Sequence, residues 1–165
     1  MRISAGAALL GFIVLILAQT ALAQRVTLEV TSVTVQASAH DTPPKGKPNA
    51  GDRIAFRDML LNRQPLFGRK KGKAVAHDVG TVTYTSAVDS TIDVIVTFEG
   101  IGTLHYHGPF VTRTDGTTVI PVTGGTGVFA GATGTVTIGK GTTRAPAVFD
   151  LSVPQKVDLT ATAVA

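Results

Sequence analysis

The chain has 165 residues, of which 44% are hydrophobic and only 16% charged, with Lys and Arg outnumbering Asp and Glu by 15 to 11. That length is one domain's worth, and the composition is too apolar for a disordered tail. Cysteine is absent, which excludes a disulfide framework, a thiol nucleophile, an iron–sulfur cluster and a thiolate zinc site.

Met1 to Ala23 reads as a secretory signal. Arg2 supplies the positive start, Ala7 to Ala18 the apolar stretch, and Ala21-Leu22-Ala23 the small-x-small cleavage site before Gln24. The apolar run is shorter than the roughly 20 residues that span a bilayer. No later segment is apolar enough to do so, and the expectation is an extracytoplasmic domain, secreted or periplasmic, from residue 24 to 165 with no membrane span.

The rest is nearly all strand. Val26-Thr27-Leu28-Glu29-Val30-Thr31 alternates apolar and polar residues with period two. The phase changes near Ser32 and resumes as Val33, Val35 and Ala37, which predicts a bulge in one long first strand. A loop containing Pro43, Pro44 and Pro48 ends at Gly51-Asp52. A second strand follows from Ile54 to Asn62, and residues 63–73, with Arg63, Arg69, Lys70, Lys71 and Lys73, form a basic solvated loop. The third strand spans Val75 to Ala87 and turns at Asp89-Ser90 into a fourth, Ile92 to Phe98. Gly100-Ile101-Gly102 leads into the fifth, Thr103 to Arg113, and Asp115-Gly116 is a hairpin turn. The sixth, Thr118 to Thr123, enters the glycine-rich stretch 124–134, with a short helical turn at most near Phe129 to Ala132. The seventh runs from Thr135 to Lys140 and the eighth from Ala147 to about Ala163, where Pro154 implies an edge or a bulge. Eight strands with short connections predict an all-β antiparallel barrel or sandwich. Closure into a barrel removes the exposed edges and leaves room for one small ligand.

Few chemical motifs stand out. Gly124-Gly125-Thr126-Gly127 has the glycines of a phosphate cradle but neither the Lys-Ser/Thr ending nor a following helix. With Gly134 it reads as a structural turn. His105 and His107 share one strand face, and Glu99 or His77 would be needed to complete a metal site. No ligand spacing motif supports one, so exterior strand histidines and no metal are expected. The basic loop lacks interleaved aromatics apart from Phe67, which argues against nucleic acid.

Three segments together resemble the allene oxide cyclase and dirigent superfamily of eight-stranded barrels. They are Gly51-Asp52-Arg53-Ile54-Ala55-Phe56-Arg57-Asp58-Met59-Leu60, Gly102-Thr103-Leu104-His105-Tyr106-His107-Gly108-Pro109-Phe110, and the run from Val122 to Gly134 with its Gly-Gly-Thr-Gly-x-Phe core. The resemblance extends over most of residues 26–153. It implies a cofactor-free barrel that holds a hydrophobic small molecule, lipid or phenolic, and guides its cyclisation or stereoselective coupling by enforced conformation. The different class of reading is a non-catalytic carrier or envelope protein. Dimers and trimers both occur among such barrels, which leaves a homo-oligomer open.

The resemblance also implies a site. Glu29 matches a first-strand glutamate that stabilises positive charge on the substrate, and Asp58 stands where the cyclases hold a water through an asparagine. Thr31 and Val82 occupy two cavity positions that are asparagine and cysteine in the cyclases, and Thr133 stands where dirigents usually have arginine. If Glu29 points inward, Thr27 and Thr31 follow; inward Val82 brings Asp78, Gly80 and Tyr84. Aligning the fourth strand on Thr97 brings Ile95 and Asp93 inside.

Overall fold

The computed structural model describes residues 23–111 and 116–160. The signal-like segment up to residue 22, most of the turn before Gly116 and the last five residues lie outside that range. Eight strands run in order: β1 Gln24–His40, β2 Arg53–Asn62, β3 Ala74–Tyr84, β4 Ser90–Phe98, β5 Gly102–Pro109, β6 Thr118–Gly125, β7 Thr133–Ile138 and β8 Arg144–Val153. Each pairs antiparallel with the next, and β8 returns to β1 from Gln24↔Val153 to Val33↔Arg144. The sheet is a closed barrel.

Local chemistry explains where the strand ends differ from expectation. β3 stops at Tyr84 because the Ser86 hydroxyl folds the next residues, accepting from the Val88 and Asp89 amides at 3.2 and 2.9 Å. β8 begins three residues earlier than expected and ends before Pro154, which has no N–H for the ladder. Beyond it the chain crosses the barrel end, where the Val157 amide donates to Gln24 Oε1 at 2.8 Å. The bulge in β1 falls between Thr34 and Gln36 rather than near Ser32. Ser32 and Thr34 continue the inward series of Val26, Leu28 and Val30 as polar residues, so the apolar alternation breaks three residues before the backbone does.

The two barrel ends are built differently. At one, Phe67, Phe98 and Phe129 form a plug, with ring centroids 5.7 Å apart for Phe67–Phe98 and 5.1 Å for Phe98–Phe129. Phe129 arrives on a 3-10 turn, Gly127–Phe129. Gly127 has φ 59°, and a Cβ there would sit 2.2 Å from the Ile101 carbonyl oxygen, so no other residue fits. Phe67 comes from the basic loop, which is therefore not simply solvated. Its cations face water, but Leu66 and Phe67 are buried. Asn62 pins the loop by donating to the Arg69 carbonyl at 3.0 Å and accepting from the Lys73 amide at 2.8 Å.

At the other end the barrel is open. Large side chains (Leu28, Leu60, Phe98, Leu104, Phe129) fill the plugged half, whereas on β1 and β8 the inward positions toward the mouth are small or polar: Ser32, Thr34, Ala37, Ala145 and Ala147. That gradient in side-chain volume leaves a cavity at the mouth. Gly80 adds to it on one wall. A Cβ there would lie 2.5 Å from Phe56 Cζ, so the Phe56 ring rests where a side chain would otherwise stand.

Candidate functional site

The cavity holds about 240 Å³. Ile54, Phe56, Val82, Ile92, Phe110 and Ile138 line it with apolar surface, while Ser32, Asp58 and Asp78 place three polar side chains among Leu60, Tyr106 and Phe149. Asp58 and Asp78 are direct partners across the β2–β3 ladder. The Asp58 amide donates to Asp78 Oδ1 at 3.2 Å, and the Ser32 hydroxyl donates to Asp58 Oδ2. Asp58 Oδ1 is buried without a hydrogen-bond partner.

A buried carboxyl next to a second one resists ionisation. Asp78 is 3% exposed, and burial first, then the charge of Asp58, raise its pKa to about 7. The bond from the Asp58 amide opposes that shift and loses to it. Burial, with Asp78 and Asp58 adding to it, likewise holds the Tyr106 hydroxyl well above its usual range. At neutral pH Tyr106 is a proton donor, and the Asp78 carboxyl retains a share of its proton. The arrangement can bind a flat apolar body, accept one hydrogen bond or positive charge, and give or take a proton.

Of the residues expected at the site, Asp58, Asp78 and Val82 line the cavity. Tyr84 is on the same face but higher, in a shallow pocket under the β1–β2 loop with His40, Lys47 and Ile54. Glu29 and Thr31 do not come inside. They alternate with the buried Val26, Leu28 and Val30 and lie on the outer face. Ile95 and Thr97 are likewise outside, because Val94, Val96 and Phe98 take the inner positions of β4 and leave Ile95 52% exposed. The glycines behave as a structural turn: beside Gly127, a Cβ on Gly125 would meet the Thr103 carbonyl oxygen at 2.4 Å and one on Gly134 the Asp150 oxygen at 2.0 Å. Gly124 has no such neighbour within 4 Å.

Sequence reasoning missed Ser32, Phe56 and Tyr106 as cavity residues. The parity of Leu104, Tyr106 and Gly108 along β5 carried the signal for the tyrosine. The histidines are on the outer surface, His77 Nδ1 3.3 Å from Glu99 and His105 Nε2 2.6 Å from Asp93. Among the described residues no group of three or more His, Asp or Glu side chains is placed to hold a metal.

The chain is a closed eight-stranded antiparallel barrel with a cavity entered from one end, and this fold is shared with solved structures, dirigent proteins among them. A pyocyanin demethylase superposes with a TM-score of 0.64 at 22% identity, covering 76% of this chain and 99% of that one. The pterocarpan synthase dirigent protein GePTS1 gives 0.61 at 20% identity, covering 86% and 91%. A second such protein, PsPTS1, gives 0.59 at 17%, covering 79% and 94%. No family model matches the sequence, and no curated protein matches it either. At these identities the likeness is one of fold, and function has to be argued from the cavity.

Proposed function

We propose that this barrel, exported by its N-terminal signal, takes one small, largely apolar molecule through its open end and guides its cyclisation or coupling. The carrying observation is the Asp58–Asp78 pair inside a largely apolar cavity. A buried carboxyl pair is a poor way to stabilise a barrel. A carboxyl with a displaced pKa in a cleft, as Asp78 is here, is what proton-transfer sites use.

The chemistry that fits is a ring closure or rearomatisation of a bound, reactive ligand. A ligand hydroxyl adds to an electrophilic carbon and its proton passes to the ionised carboxyl. The protonated carboxyl or Tyr106 supplies a proton to the ligand oxygen that receives the electron pair. The reaction is a net isomerisation and needs no oxidant. The walls contribute by restricting the ligand to one folded conformer, which raises the effective concentration of the reacting ends. The fold-sharing dirigent proteins are named as pterocarpan synthases and the demethylase for pyocyanin, which supports a small ring compound as the ligand. The second reading, a carrier without chemistry, uses the same cavity and leaves the carboxyl pair unexplained.

Chiral analysis of product from a ring-closing quinone methide, with and without the protein, separates the two. Guidance predicts an excess of one enantiomer that Asp58→Asn and Asp78→Asn each reduce. Racemic product from protein shown to bind the compound supports the carrier instead.

A further inference from the structure

We infer that the occupant of the cavity is a compact aromatic or heteroaromatic cation, its positive head set against Asp58, Asp78 and Tyr106, and not an anionic lipid. This deepens the small-molecule reading above and rests on it. Three observations carry it. The first is size: about 240 Å³ is below the ~300–1,000 Å³ of pockets for drug-sized ligands, too little for a long acyl chain and enough for a small fused ring system.

The second is the lining. Phe56, Tyr106, Phe110 and Phe149 all contribute to it, and aromatic faces favour flat partners and cations.

The third is charge. Two acids lie inside, next to each other, and one buried oxygen of Asp58 has no donor. Arg144 is the one basic side chain among the described lining residues, and it belongs to the exposed rim. An anion placed deep in the cavity would meet the carboxyl pair with no cation beside it. A cationic head relieves the repulsion between Asp58 and Asp78 instead of adding to it. Pairing with Arg144 in water is worth little and does not reverse that order.

The test is calorimetric titration of the mature chain with three probes sharing one ring: naphthalen-1-ylmethylammonium, 1-naphthalenemethanol and 1-naphthoate. The ammonium is expected to bind at least ten-fold more tightly than the alcohol, and the carboxylate most weakly. Asp58→Asn, and the near-isosteric double variant with Asp78→Asn, should abolish the ammonium preference while still binding the alcohol. Arg144→Gln should leave the ranking as it is. A carboxylate that binds as tightly as the ammonium overturns the inference, as does a preference that survives in both Asp variants. Alcohol bound with no ammonium preference overturns it but leaves the small-molecule reading intact. If none of the three probes binds, both fall.

Discussion

Asp58 and Asp78 face each other across neighbouring strands inside the barrel, joined through the Asp58 amide to Asp78 Oδ1 at 3.2 Å. Each occupies an inward position whose neighbours on the same face are apolar: Phe56 and Leu60 on β2, Ala76 on β3. The fold would be served by a pair of valines there. We propose that the acids serve the ligand of the cavity, and the consequences can be measured.

Stability should fall with rising pH because of Asp78. Its carboxyl takes up a proton at about pH 7 in the folded chain, against 3.8 for the ordinary group. Between those values the folded state binds more protons than the unfolded one, so the contribution is fully present below about pH 4 and lost through about pH 7. Asp78→Asn should flatten that slope and be more stable than wild type at pH 8 by about 1–3 kcal/mol. Denaturant midpoints from pH 4 to 8 check this, and parallel profiles for the two proteins would refute it.

Glu29 and Asp58 should behave differently. Glu29→Gln changes the outer face, so stability should move by no more than about 0.5 kcal/mol and cavity binding not at all. Asp58→Asn should weaken binding of a donor-bearing ligand about ten-fold, the effect of one charge-assisted hydrogen bond. Equal effects of the two changes on binding would show that the inner and outer faces of β1 have been misplaced.

Gly80 should set the width of the cavity. The methyl of Gly80→Ala would lie 2.5 Å from Phe56 Cζ and 2.7 Å from Val94 Cγ2, so the ring must move. A loss of about 1–3 kcal/mol is expected, with weaker binding of bulky ring ligands. Adding Phe56→Leu should restore both in part. A double variant no better than Gly80→Ala alone would show that Val94, and not the Phe56 ring, takes up the clash.

The plug should be separable from the cavity. Phe67→Ala removes a ring from the Phe67, Phe98 and Phe129 cluster at the closed end, at a cost of about 3–5 kcal/mol. Ligand affinity at the opposite end should be unchanged in protein that remains folded, which calorimetry below the melting temperature would show.

Much of this was legible in the residues. Period-two alternation with turn residues between runs is enough for eight strands in order, and the wish to avoid free edges is enough for closure. The site was half legible. Val82 is placed by its likeness to the cyclases' cavity cysteine, and Asp78, four residues back, shares its face because side-chain parity is rigid along a strand; both line the cavity. Glu29 came out wrong because positional likeness to the cyclases was set above plain alternation: Thr27, Glu29 and Thr31 are the polar set of their strand, and Val26, Leu28 and Val30 the apolar one. The same holds for β4, where Asp93 and Thr97 share parity with Ile95 and take it outside. Phe67 was hidden for another reason, since a loop that sends one ring back into a barrel leaves no periodic trace.

Everything proposed for this barrel depends on its cavity holding a small molecule. Native mass spectrometry on protein purified from its source, beside the same protein carrying Ala147→Phe, tests it most directly. Ala147 is buried and lines the cavity, so the added ring fills the space a ligand would take. One small-molecule adduct is expected on the wild type and should be missing from the folded Ala147→Phe variant. An adduct equally present on both, or a wild type that carries none and binds no ring compound offered to it, would show that the cavity is not a ligand site.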